Sequence, residues 1–388
     1  MPKLINLGCK LNQYDGHALK SLYRGLTDII IVNTCCVTKE AEIKSLKKFR
    51  RALRLNPYAK VIATGCASHH DPGKYNKAYK IINNMERSGL ISATKPEPEK
   101  ARYFLKIQDG CNGKCNYCIV PKVRDRIISK GINEVVNEIE WAHKQAYKEI
   151  VLVGANLGLY GFNQDWNLID LFAELSHMPD IPRIRLSSIE PRFITHNLLI
   201  ALSSIPFCPH FHIPIQSADD FILARMGRGY SAAEIENKIK LINDRFDRVA
   251  IGADIIVGYP GEDDSSFNNT LRFIEKNNFT HLHVFPYSPR PGTAAFDLGD
   301  PVPKYVKKNR LHILYDLIKE KQRRFGEQMI GSVVDVIVDK AGLKDSGLTD
   351  NYLRVILNHK AKIGDIYKVK IESSNETLFG TILERRNY

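Results

Sequence analysis

YFLKIQDGCNGKCNYCIVP (residues 103–121) decides how the rest of the chain is read. Its first six residues form the apolar, β-favouring run of a buried strand. Straight after it come Cys111, Cys115 and Cys118, spaced C-x3-C-x2-C, with Gly110 and Gly113 allowing the tight turns that three thiolates round one centre require. Structural zinc takes four protein ligands, and no second CxxC or histidine pair stands nearby. Three thiolates on a [4Fe-4S] cluster leave one iron open, so the absent fourth ligand is expected to come from a bound small molecule.

Downstream of this stretch strands and helices alternate. EIVLVGAN, RIRLSS, HFHIPIQ, VAIGADIIVGYP and HLHVFPYS join YFLKIQ as six candidate strands, with NEVVNEIEWAHKQA and SSFNNTLRFIEKNN among the helices between them. Such alternation needs crossover connections and hence a parallel sheet. The expected fold is therefore α/β, a partial (β/α)6 TIM-like barrel with its chemistry at the C-terminal ends of the strands. A helix from about Lys304 to Met329 ends this unit. After it, SVVDVIVDKA, YLRVILN, DIYKVKIESS and TLFGTILE read as the short strands of a small all-β barrel or sandwich.

Upstream, IIIVNT (29–34) and VIATG (61–65) read as short strands and KEAEIKSLKKFRRALRL between them as a helix. Ile43, Leu46, Phe49 and Leu53 are expected to share its buried face, with Lys44, Lys47, Lys48, Arg50, Arg51 and Arg54 over the rest. SATKPEPEKA (92–101) is written like a linker. The expected units are therefore residues 1–98, 99–328 and 329–388.

Composition agrees with a globular chain: 388 residues, 44% of them hydrophobic, suffice for two or three cores. No stretch has the length and apolarity of a membrane span, and a cytoplasmic protein without a membrane partner is expected. Eight cysteines are too sparse for a secreted disulfide framework. The net charge of +13 is concentrated: residues 1–100 carry 18 Lys and Arg against 8 Asp and Glu, whereas residues 330–388 carry 9 against 8. A polyanionic partner is thus expected to meet the N-terminal unit.

That unit holds further cysteines, in LGCKLNQYDG, IVNTCCVTKEAE and ATGCASHH. Each follows a short apolar stretch, so Cys9, Cys35 or Cys36, and Cys66 are placed to converge on a second three-thiolate cluster. Neighbouring side chains of an extended segment point to opposite faces, so only one of Cys35 and Cys36 joins it readily.

At this point the chain resembles a known family. C-x3-C-x2-C with an aromatic residue before the last cysteine, here Tyr117, is similar to the signature of radical SAM enzymes. GCKLNQYDG, VNTCCVT, QDGCNGKCNYCIVP, RLSSIEP, PIQS, IVGYPGE, HVFPYSPRPGT and LTDNYLRV, in that order, resemble the methylthiotransferases among them, especially those acting on threonylcarbamoyladenosine in tRNA. The resemblance implies a transferase with an N-terminal domain for an auxiliary cluster, a radical SAM domain and a C-terminal TRAM (OB-like) domain. It also implies two [4Fe-4S] clusters and S-adenosylmethionine (SAM). One SAM supplies a methyl group to a sulfur at the auxiliary cluster; a second supplies a radical that takes hydrogen from C2 of adenosine 37, which then receives the methylthio group. The family pattern makes Cys35 the ligand and Cys36 the departure. The implied partners are the tRNA anticodon stem-loop and an electron donor such as flavodoxin or ferredoxin, with the enzyme a monomer. The same architecture serves enzymes acting on isopentenyladenosine or on a ribosomal protein aspartate; a non-catalytic, metal-bound RNA-binding protein is the rival outside enzymology.

Tyr117, Gly154, Asn156, Gln216, Arg228 and Gly258 are the candidate SAM-binding residues, lying in or beside GANLG, PIQS, RMGRGY and YPGE at the strand ends; ordinary turn chemistry is the alternative for each motif. Arg228 suits a carboxylate. Ser188 and Glu190 in SSIEPR are candidate substrate contacts at the same mouth, as are Lys47, Arg50 and Arg51 for RNA phosphates. His210 with His212, and His281 with His283, line strand faces without an evident further metal ligand. Cys208 reads as structural. Two departures stand out: Asp125 between Arg124 and Arg126, where the family has glycine and a positive φ would strain aspartate, and a brief segment between Asn12 and Ile29 that points to an N-terminal fold trimmed by a helix.

Overall fold

The computed structural model describes residues 2–96, 101–375 and 377–386. The centre of the expected linker, with the boundary between residues 98 and 99, lies outside them.

Four strands, Lys3–Asn6, Ile29–Thr34, Lys60–Gly65 and Lys80–Ile82, form a parallel sheet in that order. The first and last are too short to show a period in sequence. The segment after Asn12 belongs to a helix, Lys10–Leu22. The helix Lys39–Leu55 begins at Thr38, whose hydroxyl accepts from the Ala41 N–H. Its buried face differs from the expected one. Ser45, Phe49 and Ala52 point inward, whereas Ile43 is 57% exposed. The reason is polar: the Ser45 side chain bonds both the N–H and the C=O of Cys35, at 2.9 and 3.0 Å, which turns that face towards the sheet.

Next come two three-stranded parallel sheets. One contains Tyr103–Lys106, Glu149–Val153 and Arg183–Leu186; the other His210–Gln216, Ala250–Val257 and Phe279–Pro286. Parallel bridges from Ile184 to Phe207 and from Ser188 to His212 join them into one curved wall, the six strands of a partial barrel. Helices between the strands cover its outside with a continuous apolar core.

The helix Lys304–Glu327 leads to five strands, Val333–Lys340, Ser346–Thr349, Arg354–Leu357, Ile366–Asn375 and Thr377–Arg385, that close into a barrel rather than a sandwich. Closure follows from the last strand, which pairs with both Arg354–Leu357 and Ile366–Asn375. This small barrel docks on the N-terminal ends of the larger barrel's strands. There buried Glu149 pairs with Arg183 and Arg185 at 2.7 and 2.8 Å, and the same guanidiniums donate to the carbonyls of Asp335, Leu348, Thr349 and Asp350. Among the described residues no helix is long and apolar enough to cross a membrane.

Candidate cluster sites at the barrel mouth

The loop after the first barrel strand is held open by backbone geometry. Gly110 has φ +83°, and a Cβ there would lie 1.8 Å from the Arg126 carbonyl oxygen, so no other residue fits. The Gly113 N–H donates to Cys111 Sγ at 3.3 Å and the Cys118 N–H to the Cys115 carbonyl at 3.0 Å, which curls the three thiols together. Burial pushes the Cys111 thiol up and the Cys118 thiol up to about 12. A bound metal centre's charge is what draws such thiols into the thiolate form. Asp125 does not take a left-handed conformation, so the expected strain there is absent.

Arg228 belongs to this loop. It is buried and donates to Cys115 Sγ at 3.1 Å, to the Tyr117 hydroxyl at 3.4 Å and to the Pro214 carbonyl at 3.0 Å, with Glu190 at 3.5 Å. Its guanidinium therefore braces the cysteine loop. Asn156 is also beside the loop: its Nδ2 is 4.0 Å from Cys111 Sγ, and its buried Oδ1 has no hydrogen-bond partner among the described residues. Three thiols beside an unanswered amide oxygen fit a three-thiolate cluster that carries a further polar ligand.

The remaining candidates fall into two groups. Gln216 is buried with φ +70°, beyond a register shift in its strand, and such strain marks a position fixed by its surroundings. Ser188 reaches His212 Nδ1 at 2.9 Å, and Glu190 pairs with Arg192 at 2.8 Å. The two glycines, by contrast, make room for protein. The space beside Gly154 holds Gln108, whose Oε1 accepts from the Asn156 N–H, and the space beside Gly258 holds the stem of Lys307. Lys47, Arg50 and Arg51 are exposed on their helix.

The N-terminal cysteines lie at one sheet edge. Cys9 caps the helix Lys10–Leu22, Cys35 directly follows the second strand, and Cys66 opens the short helix Cys66–His70 after the third. Register aligns these strand ends, Asn6 with Asn33 and Thr34 with Gly65. Cys35 turns towards the Cys9 loop: a Cβ on Gly8 would lie 3.1 Å from its Sγ. Burial, with the nearby Cys66 and Cys9 thiols, pushes Cys35 up to about 11. Cys36 is fully buried in an apolar cluster with Ile30, Val32, Phe49 and Tyr75, which also contains Cys66. Cys208 is also fully buried, far from both groups in sequence and next to Glu149.

A buried ionic network that the sequence reading missed joins the two cysteine groups. Asp15 accepts from Arg87 at 2.7 Å, Lys106 at 2.6 Å and Arg124 at 2.8 Å, and Arg124 also grips Asp109, two residues before Cys111, at 2.6 Å. Ile119 and Val123, just past Cys118, pack in the same apolar cluster as Cys66. The N-terminal sheet is tied to the mouth again where Glu42 meets Arg290 and the Lys39 N–H meets Ser288. Asp15 lies within LNQYDG, three residues after Asn12 on one helix face, which was the only signal available.

Comparisons with known proteins agree with this geometry. Residues 105–274 match the Radical SAM superfamily and residues 3–85 match Uncharacterized protein family UPF0004. The threonylcarbamoyladenosine tRNA methylthiotransferase MtaB of Aquifex aeolicus is 30% identical over 94% of this chain and 98% of its own. That of Chlamydia pneumoniae is 34% identical over 87% and 86%. The tRNA-2-methylthio-N(6)-dimethylallyladenosine synthase of Alkalilimnicola ehrlichii is 32% identical over 97% and 96%. Among solved structures, the radical SAM methyltransferase TsrM from Kitasatospora setae, with cobalamin and a [4Fe-4S] cluster bound, has a TM-score of 0.55 at 12% identity, covering 72% of this chain and 68% of its own; the likeness is one of fold. SAM and [4Fe-4S] clusters are the cofactors these relationships bring with them. With its two families of motifs, its paired cysteine groups and full-length relatives above the 30% level, the chain belongs to the radical SAM methylthiotransferases.

Proposed function

We propose that this enzyme methylthiolates C2 of N6-threonylcarbamoyladenosine at position 37 of tRNA. The observation that carries the reading is the pair of three-cysteine groups, one at each side of the barrel mouth, connected by a single buried ionic network. Relatives named for this reaction supply the substrate.

In this reading residues 1–98 hold the auxiliary cluster on Cys9, Cys35 and Cys66, residues 99–328 hold the SAM-binding cluster on Cys111, Cys115 and Cys118, and residues 329–388 form the TRAM domain. When bound, the clusters and SAM supply the radical and methylthio chemistry. The chain's own work is positioning. Arg228 orients Cys115, Asn156 would offer a polar contact to a cluster held by the three cysteines, Gln216 would offer one to bound SAM, and Asp15 with Arg124 keeps the two cysteine groups in register. The N-terminal sheet covers the mouth and limits water there. An anticodon-loop base is unpaired and can be splayed into such a mouth. A cytoplasmic monomer drawing electrons from flavodoxin or ferredoxin is the setting this implies.

Expressing the protein in a strain without its own tRNA methylthiotransferases tests the substrate. Nucleoside mass spectrometry is expected to show 2-methylthio-N6-threonylcarbamoyladenosine. Appearance of the dimethylallyl product alone would move the assignment to the second reading, which the Alkalilimnicola relative favours.

For the RNA we assign Lys47, Arg50 and Arg51 to phosphate contact, because the positive charge lies in this unit and these side chains are exposed. Reversing all three to glutamate is expected to weaken tRNA binding and to lower the slope of log K against log salt by about two to three, near 0.7–0.9 per lost contact. An unchanged slope would leave these residues as a solvated helix face.

A further inference from the structure

The inner wall of the barrel is layered. Along Phe279–Pro286 residues 280, 282 and 284 are buried under the helices, whereas His281, His283 and Phe285 face the lumen with rising exposure towards the mouth. At the closed end His281 and His210 stack, 5.0 Å between ring centres, and Tyr352 of the C-terminal barrel stacks on His210 at 4.4 Å. Gly252 permits this, since a Cβ there would lie 1.9 Å from the His281 ring. Phe285, 41% exposed, stands at the open end.

Between them lies a polar layer. His212, Asp254 and His283 come from three adjacent strands, and Asp254 pairs with His283 in register. Asp254 Oδ1 is 3.5 Å from His212 Nε2 and 3.3 Å from His283 Nδ1. Ser188 takes up His212 Nδ1, while His212 Nε2 is buried without a hydrogen-bond partner among the described residues. Exposure climbs from 9% at the His212 side chain through 22% at Asp254 to 59% at His283, so the layer grades from a buried imidazole to one open to solvent. Through Ser188 and Glu190 the layer is two residues removed from Arg228 and the Cys115 loop. Burial and the neighbouring imidazole of His283 keep His212 neutral, at about 4, against the pull of Asp254.

A polar layer with an exposed aromatic ring beyond it suits a base whose outward substituent carries hydrogen-bonding groups. We infer that His212, Asp254 and His283, with Ser188 behind them, seat the N6 substituent of the target adenosine and select a carbamoyl-linked hydroxy amino acid over an apolar isoprenoid. The inference rests on the proposed tRNA reading and deepens it. A hydroxyl and a carbamoyl group bring a donor to Asp254 Oδ1 and a complementary polar atom to His212 Nε2, whose role as donor or acceptor follows from its tautomer. An isoprenoid would bury both unanswered, and a site built to bond a polar group rejects an analogue that lacks it by several orders of magnitude. Phe285 offers its ring face to the adenine.

The test uses the cluster-loaded enzyme with anticodon stem-loops carrying either threonylcarbamoyladenosine or isopentenyladenosine. His283→Leu and Asp254→Leu are expected to lower kcat/KM for the first substrate roughly 10²-fold and to narrow or invert the preference. SAM cleavage to 5'-deoxyadenosine in the absence of RNA is expected to stay within about twofold, which separates a lost seat from a lost cofactor site. Unchanged preference in both variants overturns the inference while leaving the wild-type reaction standing. Wild-type activity confined to isopentenyladenosine removes the underlying reading instead. Stoichiometric zinc or manganese, abolished in Asp254→Leu, would assign the layer to a metal ion and also overturn the inference.

Discussion

Cys35→Ser is expected to lower the iron content of the anaerobically reconstituted enzyme from about eight to about four atoms per chain and to reduce methylthiolated product to background. SAM cleavage without RNA should persist, because Cys111, Cys115 and Cys118 are untouched. The adjacent Cys36→Ser is expected to keep both clusters and activity within about threefold. Its cost is to stability, about 1–3 kcal/mol for a hydroxyl placed in a fully buried apolar cluster. The contrast follows from strand geometry. The chain leaves the second strand extended, so successive side chains diverge: Cys35 faces the Cys9 loop across Gly8, and Cys36 faces the sheet-helix core. Cluster loss on Cys36→Ser with retention on Cys35→Ser would reverse the assignment.

Asp15→Asn is expected to destabilise the cluster-loaded protein by about 3–5 kcal/mol, because one carboxylate answers three buried cations. Lys106 and Arg124 retain Asp109, but Arg87 keeps only the amide oxygens of Asn33 and Asn12. Burial alone would raise the Asp15 carboxyl; the Arg87, Lys106 and Arg124 charges overcome it and hold the group well below the usual carboxylate range. A depressed carboxylate contributes stability that is fully present above its unfolded value, near 3.9, and that is lost as pH falls from there towards the folded value. Denaturant titrations should therefore show wild-type stability dropping below about pH 4, with Asp15→Asn lacking this component. Equal stability of the two proteins at pH 7 would mean that the network is dispensable. Because the same residues link the two cysteine groups, the surviving folded Asp15→Asn enzyme should cleave SAM with poorer coupling to product.

Much of this molecule was legible in sequence. The six barrel strands were readable because each is a short run rich in apolar residues, followed by polar or glycine-rich text and alternating with helical stretches. The cysteine loop was readable because its ligand spacing is local. Short edge strands such as Lys3–Asn6 and Lys80–Ile82 were not, since three or four residues carry no period. The helix face at Ile43 was misjudged because hydrophobic spacing ignores the polar bond from Ser45 to the Cys35 backbone.

The site divides in the same way. Arg228, read as a partner for a carboxylate, also braces Cys115, through hydrogen bonds available once Tyr117 and Pro214 are in place. The histidines on alternate strand positions were visible, but their third partner was not, because Asp254 stands on a separate strand, tens of residues from either histidine, and meets them only when the three strands pair. The same holds for Asp15 and Arg124, separated by more than a hundred residues yet 2.8 Å apart.

The sequence by itself thus determined the α/β class, the six-stranded barrel, the closing β-unit and both cysteine groups, because these depend on local periodicity and ligand spacing. Tertiary structure alone decided how the two groups are clamped together and what lines the lumen. Those outcomes depend on which distant charges and rings share a buried space, and pairwise burial leaves no periodic mark along the chain.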